Sequence, residues 1–200
     1  MKNVQIKGSK ALGVSGSCVL AILAILATIG SVGAKELNGV TMPDTMSVAG
    51  KSLTLNGLGM RLATFLKVKV YVGGLYLETP SKNAEEILAS PQLKHVEMKF
   101  LRDVAASKMS GAWNESLEKN CKTGCDALKP LVEKLNATMA DMKEGDTMSF
   151  SILPDGVEAT VKGQKKDKIV SAELSKLLLT TWLGPNPPND EIKDGMLGKK

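Results

Sequence analysis

The stretch from residue 65 to 77 constrains the fold more than any other part of this chain. Leu66, Val68, Val70 and Val72 alternate with Lys67, Lys69 and Tyr71, and Leu75-Tyr76-Leu77 resumes the run after Gly73-Gly74. A period of two, rich in β-branched residues, is the pattern of a strand with one face buried. It puts Tyr71 on the face of the two lysines. The glycine pair predicts a bulge or the close approach of another element.

The neighbouring segments complete a sheet with helices. Residues 35–50 are polar and read as a lead-in with one edge strand. Residues 52–56 alternate up to a predicted turn at Asn56-Gly57. A short helix is expected over 83–89, with Asn83 as its cap and Glu86 three residues on. Residues 94–101 alternate again, with Val96, Met98 and Phe100 on one face and the lone His95 on the other, as an exposed residue. Two apolar stripes over 104–143, one through Met109, Trp113, Leu117 and Cys121 and one from Leu128 to Met142, predict two helices parted at Thr123-Gly124. A hairpin follows around Pro154-Asp155-Gly156, with Gly156 at a positive φ. A strand over 165–169 and a helix over 171–182 come next. A short helix capped by Asn189 or Asp190 ends the chain. No βαβα alternation occurs, so the expected class is α+β, a largely antiparallel sheet with helices on one face.

The N-terminus has another purpose. Lys2, Lys7 and Lys10 precede an apolar run over 18–29 that ends in Gly30-Ser31-Val32-Gly33-Ala34. A basic head, a short apolar middle and small residues at the end form a cleavable secretory signal, cut after Ala34. A spanning helix needs about 20 apolar residues, more than this run supplies. The expected organisation is a signal over 1–34 and a single domain over 35–200, periplasmic or secreted, with no integral membrane span after cleavage. Loss of three lysines lowers the formal net charge from +5 to +2. The remaining lysines are scattered and aromatics are few, which argues against nucleic acid.

Cys121 and Cys125 remain after cleavage. Export permits a disulfide between them, and that reading is preferred over two free thiols. A metal site lacks further ligands, since the only histidine lies elsewhere. No phosphate loop, dinucleotide fingerprint, nucleophile elbow or zinc-protease motif is present. No cofactor is expected.

Leu58-Gly59-Met60-Arg61 followed by Phe65-Leu66-Lys67-Val68-Lys69-Val70-Tyr71-Val72-Gly73-Gly74-Leu75-Tyr76-Leu77 resembles the chalcone isomerase-like family. Its pattern is G-x-R and then a strand of the form K-V-Y-x-x-G-L-Y. Lys99-Phe100-Leu101-Arg102-Asp103-Val104 leading to Ala112-Trp113 is similar to the strand-to-helix passage of its bacterial exported members. Leu174-Ser175 through Trp182-Leu183-Gly184-Pro185, then Pro187 and Leu197-Gly198, is similar to its last helix and tail. The resemblance implies an antiparallel sheet, helices on one face and a ligand cleft between the layers.

The resemblance also implies site residues. The family arginine falls on Arg61, a permanent guanidinium suited to an oxyanion or carboxylate in a dry cleft. The strand threonine of the active enzymes falls on Tyr71, and their helix tyrosine falls near Lys108. The hydroxyl of the last helix is kept as Ser175. With that set altered, the expectation is a monomeric, non-catalytic binder of a small anionic amphipathic ligand such as a fatty acid, held by Arg61, Tyr71, Lys108 and Ser175. Two alternatives stay open: a cofactor-independent intramolecular lyase with Arg61 as electrophile, and an envelope interaction module with a vestigial cleft.

Overall fold

Ten strands and five helices make up the described part of this computed structural model, which covers Met1 and residues 33–199. The expected signal segment lies outside the described residues, save for its first residue and its last two.

The lead-in holds three strands where one was expected. β1 (Ala34–Leu37) and β2 (Val40–Pro43) pair as a hairpin, and β3 (Thr45–Val48) is the edge of the main sheet. β4 (Lys51–Ala63), β5 (Val68–Leu77), β6 (Lys94–Phe100), β7 (Thr147–Leu153) and β8 (Gly156–Val161) follow in register, each antiparallel to the last. β9 (Gln164–Lys165) and β10 (Ile169–Val170) both pair with β8. The sheet is antiparallel throughout, as α+β composition without crossovers requires.

Two bulges decide which side chains face the helices. Asn56-Gly57 is a bulge inside β4, not a turn: Leu55 pairs with Tyr76 and Gly57 with Leu75, so Asn56 is the extra residue. The Asn56 side chain ties the bulge down, donating to the carbonyls of Ser81 and Met196 at 3.0 and 2.8 Å. The second bulge is in β5. Arg61 pairs with Tyr71 but Leu62 pairs with Lys69, leaving Val70 unmatched. An extra residue reverses the in–out alternation of everything beyond it. Tyr71 therefore leaves the face of Lys67 and Lys69 and turns toward the helices, against Phe100 of β6.

No bulge occurs at Gly73-Gly74. These glycines allow close approach on both faces: a Cβ on Gly73 would stand 2.5 Å from Met196 Cε, and one on Gly74 2.5 Å from Met42 Sδ. Gly59 does the same for α5 (Asp190–Met196), whose Ile192 carbonyl oxygen would lie 2.2 Å from a Cβ there. The helix thus rests directly on the β4 backbone.

The helices are α1 (Ala84–Ala89), α2 (Ala106–Asn120), α3 (Cys125–Asn136), α4 (Ala172–Leu183) and α5. Asn83 caps α1 by accepting from the Glu85 and Glu86 amides. Gly124, in the left-handed region at φ 67°, makes the corner between α2 and α3, and Cys121 and Cys125 are joined across it. The main core lies between the helices and Val96, Met98, Phe100, Met148, Phe150 and Ile152 of the sheet. A second core fills the opposite face, where Val40 and Met42 cover Leu53, Leu55, Val72 and Tyr76. Helices therefore cover one face only, and the β1–β2 hairpin side seals part of the other.

Two smaller expectations change. His95 is buried, not exposed, with its Nδ1 3.1 Å from the Ser151 hydroxyl and its ring edge-on to Tyr76. Gly156 is not at a positive φ. Pro154 and Asp155 alone make the turn, and Gly156 opens β8 where a Cβ would meet the Ile169 carbonyl oxygen at 2.5 Å.

Candidate functional site

A cavity of about 690 Å³ opens between the sheet and α2. Its apolar wall is Val68, Val70, Met98, Phe100, Met109 and Trp113. A volume of that order suits a small organic ligand. Behind this wall Trp113 stands edge-on to Phe150 and to Trp182, each with ring centroids 5.5 Å apart. Such packing fixes the shape of the cavity, because aromatic edges and faces attract in one arrangement.

Three of the four residues expected at the site line this cavity: Arg61, Tyr71 and Lys108. Arg61 and Tyr71 are cross-strand partners on β4 and β5, and the Val70 bulge is what brings the phenol to the helix side. The Arg61 guanidinium donates to the Leu62 carbonyl next to it. Among the described residues no carboxylate lies within ion-pair distance of Arg61, so most of its donors remain for a ligand. Lys108 is exposed on α2 at the rim.

Tyr71 is 8 % exposed and accepts a hydrogen bond from the Trp182 indole N–H at 3.1 Å. That contact leaves the phenolic proton free to donate. Burial pushes the phenol pKa up, against smaller opposing effects of the Trp182 hydrogen bond and the Arg61 charge. Tyr71 is thus a neutral donor beside a permanent cation.

Ser175 is not at the cavity. Its hydroxyl points back along α4 and donates to the Ser171 carbonyl at 3.0 Å, a common use of serine within a helix. The α4 hydroxyl that lines the cavity is Thr181, 2 % exposed and without a hydrogen-bond partner among the described residues. A buried hydroxyl left unpaired is costly, and one facing a cavity is a ready contact for a polar ligand atom. A signal for it existed in the sequence: Thr181 is the polar member of the stripe Leu174, Leu177, Leu178, Thr181.

Asn189 anchors the far side. Its amide donates to the Met60 carbonyl at 2.9 Å and accepts from the Leu62 amide at 3.0 Å, holding the backbone on both sides of Arg61. Asn189 precedes α5 as expected, but its side chain makes no helix cap. Among the described residues no cluster of three or more His, Cys, Asp or Glu could hold a metal ion.

A family model described as chalcone isomerase-like matches residues 34–198. The chain belongs to the chalcone isomerase-like family. Among solved structures, it is similar to the crystal structure of a fatty-acid binding protein of Arabidopsis thaliana. The TM-score is 0.65 and the identity 13 %, over 84 % of this chain and 97 % of that one. At that identity the likeness is one of fold. A search of curated proteins finds no match. Within this family fold, the cavity stands between the antiparallel sheet and its helices, where the resemblance places a ligand cleft.

Proposed function

We propose that this chain is an exported, non-catalytic binder of an anionic amphipathic molecule of the fatty-acid class. The observation that carries the reading is the shared cavity of Arg61, Tyr71 and Thr181, whose remaining wall is largely apolar. A guanidinium and two neutral hydroxyls match a carboxylate head, which only accepts hydrogen bonds. The apolar wall matches a hydrocarbon tail. The fatty-acid binding protein that shares the fold supports the same reading.

The chemistry at the site also favours a binder. Its carboxylates are Glu115 and Asp190, both exposed, and Lys119 holds the Glu115 carboxyl below its usual range. His95 stands on the opposite side of the sheet, beside Tyr76. Neither histidine nor cysteine, the commonest general base and nucleophile, lines the cavity.

Fluorescence or calorimetric titration with a long-chain fatty acid tests the reading. The expected result is saturable binding that Arg61→Met weakens about 10–100-fold, the scale of a lost charge-assisted hydrogen bond. Equal affinity in both proteins would sink it, as would turnover of a chalcone abolished by the same substitution. For export, mass measurement of the protein from the cell envelope should place the new N-terminus at residue 35.

A further inference from the structure

We propose that the tip of the β4–β5 hairpin docks on an anionic lipid bilayer and sets the cavity mouth against it. Phe65 and Leu66 are 92 % and 70 % exposed, and only Met1 and Val170 join them as exposed large apolar side chains among the described residues. They occupy the apex of a closed turn. The Lys67 amide donates to the Thr64 carbonyl at 3.2 Å, and Thr64 and Lys67 hold φ values of 61° and 51°. A β-branched residue at positive φ is an uncommon, strained conformation. Here it turns two adjacent apolar residues outward together.

The tip belongs to the cavity rim. Ala63, Thr64 and Val68, which flank the apex on both sides, line the cavity with Arg102 and Lys108. The basic groups around it are Lys67, Lys69, Arg102 and Lys108, all exposed. Lys67 pairs with Glu191 at 3.2 Å in an exposed contact, and Lys69 donates to the neutral Asn38 amide oxygen. Asp190 and Glu115 are the other acids at the cavity. An apolar apex ringed by cations complements a surface of acyl chains beneath anionic headgroups.

Size decides against a second protein as the occupant. An aromatic side chain buries roughly 150–250 Å², whereas a stable protein interface needs about 1,200 Å² or more. Two protruding side chains fall far short of that, yet a bilayer accepts them without a matching shape. The purpose this gives the docking, loading a lipid-derived ligand, rests on the binder reading. The docking itself rests on the tip.

The test compares the full chain carrying Phe65→Trp with the unsubstituted chain on the same vesicles, because Trp113 lines the cavity and reports ligand uptake, so that only the difference between the two reads the tip. Vesicles of phosphatidylglycerol and phosphatidylcholine are compared with phosphatidylcholine alone. The expected result is a blue-shifted indole emission, quenched by brominated acyl chains, on the anionic vesicles. Leu66→Ser should weaken it, and Lys67→Gln with Lys69→Gln should weaken it about tenfold, the scale of lost attraction to an anionic surface. The introduced indole reads insertion of the tip, not attachment through the apolar run over 18–29. An unchanged spectrum on anionic vesicles would overturn the proposal, and so would equal insertion into neutral ones. A blue shift that grows with protein concentration without vesicles would do the same, by placing a second copy on the tip. Fatty-acid titration of Arg61→Met in vesicle-free buffer reads ligand binding separately, so either reading can fail alone.

Discussion

The Trp182 indole N–H donates to the Tyr71 hydroxyl at 3.1 Å, linking the last long helix to the strand that carries the cavity's phenol. The bond satisfies a buried indole and leaves the phenolic proton free to donate. Trp182→Phe removes the donor together with the pyrrole part of a fully buried indole, so a cavity adds to the lost hydrogen bond. It should destabilise the protein by about 2–4 kcal/mol, read by chemical denaturation. The Tyr71 phenol should then titrate at still higher pH, because the lost hydrogen bond was one that lowered its pKa. Absorbance titration against Tyr71→Phe isolates that group.

Thr181→Val replaces the orphaned hydroxyl with a methyl of the same shape. The free protein should gain about 1 kcal/mol of stability, since an unsatisfied buried group disappears. Fatty-acid affinity should fall about fivefold as a hydrogen bond to the head is lost. Ser175→Ala should leave affinity unchanged, because that hydroxyl is spent on the Ser171 carbonyl. A stabilised Thr181→Val protein with full affinity would remove Thr181 from the site.

Burial lowers the His95 pKa from 6.5 to about 4. The unfolded chain then binds a proton on this residue between pH 6.5 and 4 that the folded chain refuses. The stability present above pH 6.5 should fall as pH drops to about 4, by on the order of 3 kcal/mol. Half-buried Glu97 has a raised pKa and an opposite slope, so wild type must be compared with His95→Gln. Denaturation midpoints across this range should fall more steeply in the wild type.

Gly59→Ala would place a Cβ 2.2 Å from the Ile192 carbonyl oxygen, where only backbone can give way. Displacement of α5 should cost about 1–3 kcal/mol, as overpacking does. It should also weaken fatty-acid binding, because the Asn189 contacts around Arg61 move with the helix. Thermal unfolding and titration of the variant check both effects.

Cys121 and Cys125 close a short loop at the α2–α3 corner. Loop-closure entropy for so few residues is about 2 kcal/mol. Cys121→Ser with Cys125→Ser should lower stability by that amount, and reductant should then have no further effect on the unfolding curve.

Much of the fold was legible because local pattern is local physics. Period-two runs named the strands of the hairpin pairs, and the stripes through Trp113 and Val132 named α2 and α3. The corner at Gly124 followed from its place between them. Arg61 and Tyr71 were recoverable because they sit in a short ordered motif. Ser175 came from the resemblance alone, and Thr181 was not singled out; which α4 hydroxyl meets the cavity depends on how α4 lies against the sheet.

The sequence by itself determined the helices, most of the longer strands, the antiparallel α+β class, the apolar helix faces and the guanidinium at residue 61. Only the tertiary structure decided which way residues near the site face. Register shifts at Asn56 and Val70 depend on what the neighbouring strand offers, and each reverses the alternation beyond it. One such reversal moved Tyr71 from a wet face to the cavity. Burial of His95 was likewise set by Tyr76 and Ser151 of the flanking strands, partners distant in sequence that no periodicity within its own strand could reveal.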